Sequence, residues 1–266
     1  MAEDPGKGWR PTRKLDRGNA ADQILQELRN GILCGDFPRG AKLPTEKQLS
    51  EAYGVSGPTV REAVRALTSM GMVDVRHGSG AYVTAQPDQL LFAPLTSVIQ
   101  LEEIGIGQAL GVMGALLAYA AELAATHATQ RDKTAMREAL DKLDAAKEDE
   151  AVGRALFAFL DALAGASKNP LLAILARYLT SLQIGVAQAH SDETRPFRVT
   201  VRKLSKERRS VLDAIDTGDP EAARRAARGY HDRAIKVVAS LPRADWVVPT
   251  TFIESFSAVV DYKRPG

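Results

Sequence analysis

Leu43-Pro44-Thr45-Glu46-Lys47-Gln48-Leu49, followed by Gly54-Val55-Ser56-Gly57-Pro58-Thr59-Val60-Arg61-Glu62-Ala63, reads as two short helices joined by a tight turn. Thr45 and Gln48 have the spacing of a capping box, in which each side chain satisfies a backbone group that the first turn leaves orphaned. Gly54 stops that helix after Tyr53. Ser56 is placed as the next N-cap, with Pro58 in the first turn, where a missing N–H costs little. Val60, Val64 and Leu67 then fall on one face, and Arg61 and Arg65, one turn apart, on another.

Upstream, Ala21, Ile24, Leu25, Leu28 and Ile32 repeat at helical spacing and predict a helix over 19–33, ended by Gly35 and Pro38. Downstream, Met72–Arg76 and Ala81–Thr84 read as short strands joined by His77-Gly78-Ser79-Gly80. Three helices and a two-stranded wing in roughly 65 residues make a winged helix-turn-helix. The remainder reads as helices starting near 88, 105, 130, 150, 170, 195 and 219: a linker helix and an antiparallel bundle of about six. The fold class is therefore mostly α, an N-terminal winged helix-turn-helix plus a C-terminal antiparallel helical bundle. The expected divisions are a disordered basic arm at 1–18, a DNA-binding domain at 19–85 and a linker helix at 86–103. An effector-binding and dimerisation domain at 104–241 follows, then a tail at 242–266 whose Trp246, Pro249 and Phe252 are expected to pack across the bundle.

The chain has 266 residues and a net charge of only +2, too little for a general polyanion binder, so any nucleic-acid contact must come from locally placed side chains. Residues 1–84 hold twelve Lys/Arg against ten Asp/Glu, and residues 85–266 hold 23 of each. The whole excess sits in the N-terminal third. Cys34, the single cysteine, rules out an intrachain disulfide and fits a reducing compartment; it reads as a small buried hydrophobe. Lys7, Arg10, Arg13, Lys14 and Arg17 precede no apolar core segment, so a secretory signal is not expected and a cytoplasmic location is. Ile104–Ala121 carries no charge, yet its glycines and alanines, with Glu122 directly after, point to a buried helix of a bundle and not to a membrane partner.

The two quoted stretches, with His77-Gly78-Ser79-Gly80-Ala81-Tyr82-Val83, resemble the GntR family of bacterial regulators in order and spacing over about residues 20–84. The helical remainder resembles the FadR-like, FCD-type branch through Ala166-Ser167-Lys168-Asn169-Pro170 and Ala214-Ile215-x-x-Gly218-Asp219. Alanine and arginine usage hints at a GC-rich actinobacterium, and the resemblance extends to mycobacterial regulators of lipid-import (mce) operons.

That resemblance implies an effector-modulated, DNA-binding transcription regulator that represses from an inverted-repeat operator in double-stranded DNA as a homodimer. It assigns DNA contacts to Lys47, Ser56, Thr59, Arg61, His77 and Gly78. The residues agree for Arg61, since an arginine early in the second helix can meet guanine O6 and N7 with two bonds; the alternative is a surface pair with Glu62 or Asp74. Thr59 could simply cap its helix. Arg65, a turn deeper, is a phosphate contact or a structural ion pair. Gly57 stands where the family usually has a base-reading arginine.

The resemblance also implies a divalent metal held by an Asp and three histidines, but it places Leu156, Leu160, Arg208 and Tyr230 at those positions. No metal and no other cofactor is expected. Gly111 and Ala115 stand where the branch has an Arg and a Glu. The expected effector pocket, lined by Gly111, Ala115, Leu156, Leu160, Arg208 and Tyr230 with Leu110, Met113, Leu116, Leu117, Phe157, Leu172, Leu175 and Leu179, suits an apolar or amphipathic molecule. A fatty acid or its CoA thioester fits, although the same residues read equally as an ordinary core. An enzyme is not indicated: His77, His127, His190 and His231 form no HExxH, and nucleophile-elbow and phosphate-loop patterns are missing. The competing reading is an effector-independent dimeric DNA-binding protein with a degenerate pocket.

Overall fold

The computed structural model describes residues 19–85, 87–189 and 196–239, so the expected arm at 1–18 and tail at 242–266 lie outside the described residues. The chain divides into two compact units, one ending at Pro94 and the other beginning at Leu95.

In the first unit, α1 (Ala20–Cys34) and α2 (Glu46–Tyr53) pack on α3 (Gly57–Ser69). Ile24, Leu28, Leu49, Val60 and Leu67 are fully buried in the core they share. The Thr45–Gln48 capping box forms as the spacing predicts, and Gly54 ends α2 in the left-handed conformation. Cys34, expected inside, is exposed. It follows Ile32 by two residues, about 200° around the helix, so it leaves the buried stripe.

Strands β1 (Val73–Arg76) and β2 (Gly80–Val83) pair antiparallel, with Val73 opposite Val83 and Arg76 opposite Gly80. The first begins one residue later than expected and ends as expected; the second is shifted by one residue toward the N-terminus. The segment before α2 joins them: Leu43 N–H donates to Ala81 O at 2.8 Å and Val83 N–H to Ala41 O at 2.8 Å. This tie fastens the wing to the helix-turn-helix.

Helix α4 (Pro87–Leu101), which contains Pro94, occupies the segment expected to be a linker helix, and the division between the units falls within it. The second unit continues with α5 (Ile106–His127), α6 (Gln130–Ala145), α7 (Asp149–Ala166), α8 (Pro170–Ala189), α9 (Phe197–Arg202), α10 (Ser205–Thr217) and α11 (Pro220–Ala239). Helix α5 packs against α7, α8, α10 and α11. Helices α5 and α8 are long and apolar enough to cross a membrane, and about half of each lies inside the bundle. The close approach of α5 and α11 depends on Gly114, where a methyl group would lie 2.4 Å from the His231 ring.

One helix was expected from about 195 to 218; the chain instead breaks at Lys203–Leu204 into α9 and α10. Leu204 leaves helical geometry (φ −112°, ψ 10°), and Val201 O accepts the Leu204 N–H at 3.1 Å and the Arg208 Nη2–H at 3.0 Å. An arginine side chain thus shares a carbonyl that the interrupted helix leaves without its i+4 donor.

Candidate functional site

The second helix-turn-helix helix, α3, begins with Ser56 as N-cap. Ser56 does not cap through its side chain; its hydroxyl meets that of Thr59 at 2.8 Å, fixing the polar entry turn. Arg61 and Arg65 project from the outer face while Val60, Val64 and Leu67 hold the inner one. Arg61 pairs with neither Glu62 nor Asp74. Its Nε and Nη2 donate to Glu46 Oε2 of α2 at 3.2 and 3.1 Å, and both side chains are about half exposed. Lys47 is exposed and only loosely paired, 3.9 Å from Glu51. A methyl group at Gly57 would meet nothing within 4 Å.

At the wing tip His77 and Gly78 are exposed, and Gly78 has φ +70°, a conformation glycine adopts without strain. Arg76 was not singled out from sequence. Its guanidinium lies 4.6 Å from the Tyr82 ring centre, and the Tyr82 hydroxyl meets Ser79 Oγ at 2.7 Å. The only sequence signal for this cation was its place just before the wing turn. One unit therefore carries Lys47, Ser56, Thr59, Arg61, Arg65, Arg76 and His77 on its surface, with one hydrophobic core beneath them.

The second unit separates the residues expected to line one pocket. Leu156, Arg208 and Tyr230 border a cavity of about 30 Å³ together with Gln183, Ile184 and Phe197. Leu160 is buried in the core and does not border it. Gly111 and Ala115 lie on an exposed face of α5, and Ala115 borders a different feature, an open groove with Tyr119, Glu122, Arg224 and Arg228. Helix α5 is apolar all round, so its sequence does not announce which face turns inward.

Arg208 is 1% exposed, and its Nε and Nη1 have no hydrogen-bond partner. Burial raises the Tyr230 phenol above its ordinary range, and the Arg208 charge pulls the other way. His231 is buried, with Nε2 against Leu110 O, and burial lowers it below the usual histidine range although that bond favours the protonated ring.

The donor set does not fit a divalent metal. Leu156 and Leu160 have no lone pairs, Arg208 is cationic, and no group of three or more His, Cys, Asp or Glu among the described residues is placed to hold an ion.

A winged helix-turn-helix with an exposed arginine-bearing second helix, joined to a helical unit, defines a DNA-binding transcription regulator and not an enzyme. Residues 20–83 match the family described as "Bacterial regulatory proteins, gntR family", and residues 108–233 match the FCD domain. LutR, an HTH-type transcriptional regulator of Bacillus subtilis, is 31% identical over 201 residues, covering 73% of this chain and 90% of its own. The chain belongs to the gntR family, with an FCD domain as its second part. Mce2R of Mycobacterium tuberculosis is 29% identical over 226 residues, 80% of this chain and 89% of that protein. The solved GntR structure from Streptococcus agalactiae has the same fold, with a TM-score of 0.59 and 24% identity over 81% of this chain and 99% of that one.

Proposed function

We propose that this protein is a cytoplasmic repressor that binds an inverted-repeat operator as a homodimer and releases it when an apolar or amphipathic effector, such as a fatty acid or its CoA thioester, enters the helical unit. The carrying observation is the outer surface of the first unit, where Arg61, Thr59, Ser56 and Lys47 are accessible on elements fixed by one core. In this reading Arg61 contacts a base edge, Lys47, Arg65 and Arg76 contact phosphates, and His77 and Gly78 enter the minor groove. The second copy docks on the α5 face, where Val112 and Tyr119 are exposed beside Gly111 and Ala115. That face is flanked by the ion pairs Arg224–Glu122 and Arg228–Asp232, a polar rim around the exposed apolar residues.

The effector half of the proposal rests on the cavity at Leu156, Arg208 and Tyr230. At about 30 Å³ it holds little more than a water or two, well below the several hundred Å³ of an ordinary ligand site. An acyl chain therefore enters only by opening the bundle, which is how a ligand selects a second arrangement of the protein. The test has two arms. DNA fragments selected by the purified protein should share an inverted repeat, and long-chain acids below their micellar concentration should lower operator affinity in an anisotropy titration. Fragments without a common sequence refute the operator reading; no response to any chain length refutes the effector reading.

A further inference from the structure

Arg208 is among the largest fully buried side chains of the protein. A guanidinium has five donors and cannot shed its charge, so an isolated one inside a helical core needs a compensating anion. Arg208 forms no ion pair: one bond reaches the neutral Val201 carbonyl, the neutral Tyr230 phenol lies beside the guanidinium, and Nε and Nη1 have no hydrogen-bond partner. The adjacent Glu207 makes no ion pair with it.

The same cavity holds a second orphan, Gln183, whose Oε1 is buried without a partner. Around both lie Leu156, Ile184, Phe197 and Val201. Two unsatisfied polar groups of this kind in one apolar void each cost the folded chain desolvation that nothing returns.

We infer that Arg208 is the metal-independent anchor for the carboxylate of the effector, with Gln183 and Tyr230 as neighbouring polar contacts and the apolar wall receiving the chain. The inference rests on the effector reading above and names its head group: it selects the free acid over the CoA thioester, which has no carboxylate at the acyl head. A carboxylate is planar and matches an edge of the guanidinium fork, and one negative charge balances the buried positive one. Inorganic phosphate is the weaker match: it has no chain to fill the apolar wall, and its dianion leaves excess charge in an apolar pocket.

The test compares octanoate with octanamide, which have the same chain but different heads, on the full-length protein, by thermal shift and by release of operator. Octanoate should raise the melting temperature and release operator, and 1 mM EDTA, on the order of a large excess over adventitious metal, should change neither effect. Octanamide and inorganic phosphate should do nothing. Arg208→Met should weaken the octanoate response about 10- to 100-fold, the loss of a bond to a charged group. It should leave unliganded operator binding intact and unliganded stability equal or higher, because an uncompensated buried charge has gone. Arg208→Lys keeps the charge without the fork and should fall between.

Equal responses to octanoate and octanamide, or a response retained in Arg208→Met, overturn the anchor while the effector reading stands. Loss of the response in EDTA does the same by assigning the acid to a metal. Silence of both probes in both assays overturns the anchor, and silence of all longer acids as well removes the effector reading itself. Should Arg208→Met fail to fold, Gln183→Leu and Arg208→Lys carry the comparison, and an unaltered octanoate response in both contradicts the inference.

Discussion

Two partners compete for the Arg61 guanidinium, which donates twice to Glu46 in the free protein and must be vacant to meet a base edge. An exposed pair is worth up to about 1 kcal/mol, and that amount is lost on docking. Glu46→Ala should therefore tighten specific binding by up to about fivefold, read by anisotropy at fixed salt; weaker binding would mean that Glu46 orients Arg61 for the operator. His231 carries a second residue-scale consequence. Its folded pKa lies below the ordinary 6.5, so the unfolded chain binds more protons as pH falls, and stability present above about 6.5 is lost below it. The melting temperature should drop between pH 7.5 and 5.5, and less so in His231→Gln; identical profiles would contradict a buried neutral ring. The Thr45–Gln48 box was legible because its partners are three residues apart. Glu46 as the partner of Arg61 was not, because fifteen residues separate them and only the packing of α2 on α3 brings them together.

Among the elements, α9 has six residues, too few to be stable by itself, and another helix secures its start. Asp149, at the beginning of α7, accepts the backbone N–H groups of Phe197 and Arg198 at 3.0 and 3.1 Å and pairs with the Arg198 guanidinium at 3.0 Å. Partial burial alone would raise its pKa, but the N–H groups and guanidinium of this cluster outweigh that and hold it below the usual 3.8. The stabilisation is present above that value and fades only as pH falls through the lower folded pKa. Asp149→Ala should cost about 1–2 kcal/mol at neutral pH, as a lost cap and charged bond do, visible as a lower urea midpoint. An unchanged midpoint would show that α9 docks through Phe197 and Val201 alone. The α9–α10 break left no trace in the sequence, since no glycine or proline marks it, whereas the ends at Gly54 and Gly218 announced themselves through left-handed caps. The wing strands were legible within a residue, but the edge added by residues 41–43 was not, because a lone bridge has no period of its own.

At the scale of the whole molecule, a winged helix reads only a short half-site, so an inverted repeat calls for two copies. Light scattering of the DNA complex should give two protomers per operator, and Tyr119→Glu, which sets a charge on the exposed α5 face, should shift the free protein toward monomer. A dimer unaffected by that change places the interface elsewhere. That a winged part is followed by a helical one was legible because hydrophobic period and turn residues change together near residue 85, whereas the units divide later, at Pro94, within a helix that carries no such signal. The cavity was only half legible: Arg208, Tyr230 and Leu156 meet there, but an alanine-rich helix with apolar residues on every side does not tell which of its faces the others cover, and Gly111 and Ala115 fell outside.

The central claim, that α3 reads sequence through Arg61, is tested most directly by titrating wild type and Arg61→Ala against the selected operator and a scrambled duplex at one salt concentration. The operator should lose about 1–3 kcal/mol of affinity with the arginine while the scrambled duplex loses far less, the mark of a base contact. An unchanged operator affinity, or an equal loss on both duplexes, would contradict it.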